Sequence, residues 1–278
     1  MKTTAEHAAE QAAYWNGPGG QGWLATYARI ERSLAGFTDL LFAAAQAKPG
    51  EQVIDIGCGT GGTTAQLARA VAPGGHVTGL DISEMLVAAA RERGVDNATF
   101  VVGDAATHPF KQAQYDLVFS RFGVMFFAEP VIAFANFRRA LKADGRMVFI
   151  CWRAPQDNPW ATVSLRAAQP FLPPQPRPGP EDPGQFAFAD RARVERILRE
   201  AGFASFAIEP VERPVFVGAT IADIVASAGR FGPLARAFAG AEPAAIDKAK
   251  AAIGDALKPH LGPEGVVLPG ACWLVTAR

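Results

Sequence analysis

Between residues 50 and 152 the chain alternates short apolar runs, rich in β-branched residues, with stretches of helical periodicity. This alternation is typical of βαβ units and predicts a parallel sheet with helices packed on both faces. The apolar runs are almost continuous, as in strands that are covered on both sides. The predicted strands are 52–56, 76–81, 99–102, 115–120 and 146–152, the last after the turn 143–145.

Helical periodicity predicts three helices between these strands, over residues 62–71, 84–93 and 130–141. Ser83 is placed to cap the second of them, and Gly94 to end it. Farther along, the pattern predicts a helix, a sixth strand and a final strand, over residues 190–201, 203–211 and 271–277.

Two stretches interrupt this alternation. Residues 155–183 are rich in proline, and residues 219–259 form an alanine-rich helical pattern with an apolar face. The first fifty residues also have mostly helical character. The expected organisation is therefore an N-terminal helical lid (1–48) and one α/β domain (49–278), with helical cap insertions at about 153–189 and 218–264.

The second insertion carries more apolar surface than an exposed hairpin tolerates. We expect the two insertions to roof a pocket at the edge of the sheet, the alternatives being a homodimer interface or a stabilising cap. The apolar positions of the second insertion include Ile221, Ile224, Val225, Phe231, Leu234 and Phe238.

Composition restricts the function classes. The chain has 278 residues, 49% of them hydrophobic and 19% charged, which favours one soluble globular body with a sizeable core. Basic and acidic residues both number 27 and form no cationic run, so a nucleic-acid partner is not expected. Without a signal-peptide pattern or an apolar run of about 18 residues, a cytoplasmic location and no membrane span are expected. The three cysteines are widely spaced and predict no metal site.

The candidate chemistry begins at the end of the first predicted strand, where Gly57, Cys58 and Gly59 lie in a glycine-rich turn before a helix. Glycines allow the backbone to approach a ligand closely and to adopt torsions closed to other residues. The turn also satisfies the dinucleotide-binding spacing, so it does not by itself identify the ligand. Asp81, at the end of the second strand, can accept both ribose hydroxyls of an adenosine-type ligand.

Four features in order resemble the class I S-adenosylmethionine-dependent methyltransferases. They are the DxGxGxG pattern that starts at Asp55, the acidic residue after strand two, the sequence GDA at 103–105 and the sequence YDLVFS at 115–120. Residues 120–152 further resemble the ubiquinone and menaquinone biosynthesis methyltransferases. The resemblance implies a Rossmann-like sheet of seven strands, mostly parallel, with an antiparallel last strand.

The resemblance also implies roles for individual residues. Gly57 and Gly59 would hold the methionine part of the cofactor, with Asp55 supporting its amino group. Asp81 would bind the ribose and Ile82 would pack on the adenine. Further candidates for cofactor contacts are Cys58, Gly103, Asp104, Ala105 and Ser120; candidates for the acceptor site or lid are Trp15, Asn16, Trp23, Arg121 and Phe122.

The expected function is therefore methyl transfer from S-adenosylmethionine to a small, apolar or aromatic acceptor, which yields S-adenosylhomocysteine. Transfer from a sulfonium depends chiefly on positioning and on exclusion of water, so no residue is assigned as a catalytic base. Two alternatives stay open: a protein that binds the cofactor without transferring methyl groups, and a nicotinamide-dependent dehydrogenase. The identity of the acceptor and the atom methylated do not follow from the sequence.

Overall fold

The computed structural model describes residues 4–174, 179, 181–230 and 232–278. Two helices precede the sheet: α1 (Thr4–Trp15) and α2 (Pro18–Ala45). Pro18 occupies the first turn of α2, where its missing N–H costs no intrahelical hydrogen bond. Both helices lie in the segment where the sequence predicts mostly helical structure. α2 buries Phe37 and Leu41 completely, which fixes it against the body of the protein.

The strands form one twisted sheet in the order β3-β2-β1-β4-β5-β8-β6, with the two-residue β7 paired to β8. Neighbouring strands from β3 to β5 are parallel, whereas β8 runs antiparallel to both β5 and β6. The predicted fold class is thereby confirmed. The strands are β1 (Gln52–Ile56), β2 (His76–Asp81), β3 (Ala98–Val102), β4 (Tyr115–Arg121), β5 (Leu141–Trp152), β6 (Phe206–Gly218), β7 (Leu261–Gly262) and β8 (Gly265–Ala277).

Helices connect and cover these strands: α3 (Gly62–Val71), α4 (Glu84–Arg91), α5 (Pro130–Ala140), α6 (Pro159–Ala168), α7 (Arg191–Glu200), α8 (Ile221–Ser227), α9 (Gly232–Phe238) and α10 (Pro243–Leu257). The Ser83 hydroxyl accepts the Leu86 N–H and caps α4, as the sequence predicts. β2 and β4 lie on opposite sides of β1, so the carboxyl end of β1 is the switch point where an open α/β sheet has its ligand-binding crevice.

The last two long strands extend beyond the residues that the pattern predicts. β6 begins at Phe206 and continues to Gly218, and β8 begins at Gly265, because the two strands pair almost without interruption from Phe206↔Ala277 to Gly218↔Val266. Pro210 and Pro214 interrupt the strand pattern of β6 in the sequence. An edge strand tolerates them, since its outer N–H groups donate to no neighbour.

The two insertions share one apolar core, separate from the main one. Ala168 and Leu172 of the first insertion pack with Ile253 and Leu257 of the second, and both meet the start of β8. Of the positions named above, Ile221, Ile224, Val225, Leu234 and Phe238 belong to this cluster, whereas Phe231 and residues 175–178 and 180 lie outside the described residues. The two insertions therefore pack on each other and on the start of β8.

Candidate functional site

Three glycines give the turn after β1 its shape. Gly57, Gly59 and Gly61 have φ values of +69°, +54° and +75°, in the left-handed region that side chains disfavour. A Cβ on Gly57 would lie 2.9 Å from the Cα atom of Gly123, so the turn and the end of β4 approach each other backbone to backbone. Cys58, between the first two, is buried, and burial raises the pKa of its thiol well above the usual value. The turn therefore presents backbone to the crevice.

Asp55 is completely buried at the end of β1. Its Oδ2 accepts hydrogen bonds from the hydroxyls of Thr63 (2.8 Å) and Thr64 (2.7 Å), on the first turn of α3. Its Oδ1 has no hydrogen-bond partner among the described residues. Burial raises the pKa of Asp55 to about 6, against the opposing effect of the two threonine hydroxyls. One carboxylate oxygen is thus held in place and the other is available for a donor.

Asp81, at the end of β2, orders the same turn. Its Oδ2 accepts the Gly59 N–H at 2.8 Å, and its Oδ1 accepts the Ser83 N–H at 2.9 Å. Burial raises the pKa of Asp81, while these backbone donors and the Ile82 N–H lower it. Asp81 and Ile82 both stay partly accessible at the crevice. The structure thus places the predicted ribose-binding acid beside the glycine turn, where the carboxylate also fixes the backbone.

The GDA loop after β3 is held by a residue that the sequence did not single out. Gly103 donates its N–H to the Asp81 carbonyl at 2.9 Å, and Asp104 Oδ1 accepts the Ala106 N–H. The buried Asn136 of α5 donates through Nδ2 to the carbonyls of Ala105, Ala106 and His108. A buried asparagine on the apolar face of a helix is the signal that could have identified it.

Ser120, Arg121 and Phe122 follow one another at the end of β4, but they face different partners. The Ser120 hydroxyl donates to the Ile56 carbonyl at 2.8 Å and accepts the Gly123 N–H, which joins the ends of β1 and β4. Arg121 Nη1 donates to Glu31 (3.1 Å) and to Thr38 (3.0 Å), both on α2. The Arg121 guanidinium, which we expected near the acceptor, is thus engaged by an acid of the protein.

Phe122 has a positive φ of +63°, which is rare and costly for a bulky residue. Its ring stacks on Trp152 at 4.4 Å between centroids, with 11° between the planes. Trp152 also contacts Trp160 of α6 (4.6 Å) and Phe37 of α2 (5.4 Å). These four residues form an aromatic wall between the end of β4, the first insertion and α2.

The predicted lid residues lie against the same crevice. Asn16 Oδ1 accepts the Met85 N–H at 3.1 Å, and the Trp15 carbonyl accepts the Ser83 hydroxyl at 2.8 Å, which docks the α1–α2 connection on α4. The rings of Trp15 and Trp23 meet edge to face. Trp23 Nε1 lies 3.9 Å from the position of a Cβ on Gly59, so α2 covers the glycine turn directly.

Two further residues of α2 contact the turn, and sequence reasoning missed both. The Tyr27 hydroxyl lies against Gly62, and Glu31 Oε2 lies 3.6 Å from the position of a Cβ on the same glycine. Trp23, Tyr27 and Glu31 recur every four residues, so they share one helix face. That spacing is visible in the sequence. Which helix packs on the glycine turn, however, depends on tertiary contacts that the local sequence does not specify.

A comparison with protein families matches residues 54–149 to the model described as "Methyltransferase domain". This segment of the chain is therefore similar to methyltransferase domains. The resemblance to methyltransferases predicted from the sequence is thereby confirmed for residues 54–149.

Known relatives agree with the domain match. The chain is 35% identical to a demethylmenaquinone methyltransferase of Staphylococcus aureus over 103 residues, which is 36% of this chain and 43% of that protein. It is 36% identical to an uncharacterized 37.1 kDa protein in transposon TN4556 of Streptomyces fradiae, over 40% of this chain and 33% of that protein. The chain thus spans less than half the length of these curated relatives.

Solved structures share the fold over most of the chain. The YcgJ protein of Bacillus subtilis superimposes with a TM-score of 0.57 at 17% identity, covering 87% of this chain and 97% of that one. In the described part of the chain, none of the helices is both long and apolar enough to cross a membrane.

Proposed function

We propose that this protein transfers the methyl group of S-adenosylmethionine to a small, apolar or aromatic molecule. The observation that carries the proposal is the buried Asp55, whose Oδ1 is available at a turn of positive-φ glycines next to Asp81. A cofactor that presents an ammonium group and a ribose matches these two acids. When bound, it supplies an activated methyl group.

Each element of the crevice has a proposed part in holding the cofactor. The backbone of Gly57, Cys58 and Gly59 cradles the methionine portion, and Asp55 accepts from its ammonium group. Asp81 accepts from the ribose hydroxyls, and Ile82 packs on the adenine. Gly103, Asp104 and the Ala105 N–H border the adenine edge, in a loop that Asn136 holds in place.

The acceptor class is proposed from the aromatic wall. Phe122 and Trp160, which are both partly exposed, offer flat apolar surface, with the buried Trp152 packed behind them. An acidic acceptor would have to displace Glu31 from Arg121, a pair whose side chains are only 9% (Arg121) and 24% (Glu31) exposed. Breaking such a pair is unfavourable, which supports an apolar or aromatic acceptor over an acidic one. Demethylmenaquinone methyltransferase, by its name, acts on an apolar quinone, in keeping with this class.

The experiment that tests the proposed function is incubation with methyl-labelled S-adenosylmethionine and a cell extract divided into organic-soluble and aqueous fractions. We expect label in an organic-soluble product, identified by mass, and none with boiled protein. Label only in an aqueous product would contradict the acceptor class. Cofactor binding without any labelled product would favour a binding protein that lacks transfer activity.

Cofactor binding should depend on pH through Asp55. Its pKa of about 6 means that the carboxyl loses its charge as pH falls through that value. We expect the affinity for S-adenosylhomocysteine to be about tenfold lower at pH 5 than above pH 7. Calorimetric titrations across this range measure the effect, and Asp55→Asn is expected to bind more weakly and with a shallower pH dependence.

The contribution of Asp55 to folding does not explain that loss. A carboxyl whose pKa is raised by folding favours the folded state when it is protonated, so this group stabilises the unliganded protein as pH falls from about 6 toward 4. Affinity and this contribution to stability therefore change in opposite directions. An equally steep pH dependence in the Asp55→Asn variant would show that another group is responsible.

A further inference from the structure

We propose that Trp23 is a cofactor-binding residue, whose indole N–H donates to the carboxylate of the same α-amino acid group whose ammonium donates to Asp55. This inference rests on the proposed function and deepens it. In this proposal, Trp23 of α2 binds the carboxylate of the zwitterion and Asp55 of β1 binds its ammonium group.

The first observation is a cluster of buried polar atoms that lack partners. Asp55 Oδ1, Thr60 Oγ1 and Trp23 Nε1 are all buried without a hydrogen-bond partner among the described residues, and all three lie at the glycine turn. Buried polar side-chain atoms are rarely left unsatisfied in native proteins, because each costs free energy. Three such atoms at one turn indicate a polar ligand that satisfies them together.

The second observation is that Trp23 is held in position. Its ring packs edge to face on Trp15, which in turn packs on Phe126. Beyond Trp23 along the same helix, Arg29 donates to the Ser227 hydroxyl at 2.7 Å, and Glu31 pairs with Arg121. The indole N–H thus faces Gly59, and the packing of α2 on the protein holds the Trp23 side chain in this position.

The chemistry of the two atoms specifies the ligand group. An indole N–H is a donor only, so its partner must be an acceptor, whereas the Asp55 carboxylate oxygen requires a donor. The Thr60 hydroxyl can serve as either and does not decide. An α-amino acid zwitterion offers a carboxylate acceptor and an ammonium donor on one carbon, which matches the donor of Trp23 and the acceptor of Asp55.

The test compares two ligands that differ in this group. S-adenosylhomocysteine carries the amino acid group, and 5′-methylthioadenosine lacks it but keeps the nucleoside and the sulfur. Trp23→Phe removes the N–H and retains an aromatic ring. We expect the variant to bind S-adenosylhomocysteine about tenfold or more weakly and 5′-methylthioadenosine with unchanged affinity, both measured by calorimetry.

Trp15→Phe is the matched control, since it alters the same aromatic contact but leaves the unpartnered Trp23 N–H in place. It is expected to change both affinities by the same factor. Melting temperatures identify any variant that fails to fold. The wild-type protein provides a test without substitution, because it should bind the decarboxylated analogue of S-adenosylhomocysteine at least about tenfold more weakly than S-adenosylhomocysteine.

The role of Trp23 would be overturned if Trp23→Phe lowered the affinity for both ligands equally, or left the affinity for S-adenosylhomocysteine unchanged. Equal wild-type affinity for the decarboxylated analogue would also overturn it. A folded wild-type protein that binds neither nucleoside would instead refute the proposed function, so the two failures are distinguishable.

Discussion

Replacing Asp81 by alanine is expected to lower the affinity for S-adenosylhomocysteine by one to two orders of magnitude. The change removes the acceptor proposed for the ribose hydroxyls, and hydrogen bonds to a charged group contribute about 1.5–3 kcal/mol. It also releases the N–H groups of Gly59 and Ser83, which now fix the glycine turn and the start of α4. The loss therefore combines direct contacts with a less ordered turn, and calorimetric titration measures it.

Asp116→Asn is the matched control for Asp81→Ala. Asp116 lies near the start of β4, at the amino-terminal end of the parallel strands and away from the crevice. Its carboxylate accepts hydrogen bonds from Lys142 and from the Gln52 N–H. This control should leave the affinity within about twofold of wild type, because surface pairs contribute little. If Asp81→Ala binds as tightly as the control does, Asp81 is not a cofactor ligand.

Replacing Asn158 by alanine is expected to destabilise the folded protein by about 3 kcal/mol or more. Asn158 is completely buried between β5 and the first insertion. Its Nδ2 donates to the carbonyls of Arg153, Ala154 and Ala271, and its Oδ1 accepts from the Ala271 N–H and the Trp160 indole. Alanine would leave several buried groups unsatisfied, and each costs about 1–3 kcal/mol. Denaturant unfolding measures the difference.

Asn97→Ala serves as the comparison for Asn158→Ala. Asn97 donates to only two carbonyls, those of Ala68 and Gly75, and it is partly exposed. We expect Asn97→Ala to lower the free energy of unfolding by about 1 kcal/mol. If the two variants lose similar amounts of unfolding free energy, water replaces the missing amide of Asn158. Asn158 would then not be needed to hold the first insertion in place.

The elements around the crevice were predictable from local pattern. The bounds of β1, β2 and α3 agree with the sequence-based expectation, because buried parallel strands are continuous apolar runs and the glycine turn marks where β1 ends. The cap of α4 by Ser83 and the antiparallel β8 were likewise expected, the second from the family resemblance. Each of these features is specified within a few residues of chain or by a known family pattern.

Features that depend on distant contacts were not predictable. The engagement of Arg121 by Glu31 joins residues 90 positions apart, and nothing near Arg121 in the sequence indicates its partner. Asn136 is marked in the sequence by its place on an apolar helix face, but the carbonyls that it holds, like those held by Asn158, are known only from the structure. The contact of Trp23 with the glycine turn depends on how α2 docks, which the helical pattern alone leaves open.

We propose that the crevice at the carboxyl end of β1 binds S-adenosylmethionine. The most direct measurement is calorimetric titration of the wild-type protein with S-adenosylhomocysteine and, in parallel, with NAD at the same concentrations. We predict saturable binding of S-adenosylhomocysteine with one site per chain and no detectable binding of NAD. Binding of NAD by the folded protein, with no heat from S-adenosylhomocysteine, would mean that the crevice is a dinucleotide site and not an S-adenosylmethionine site.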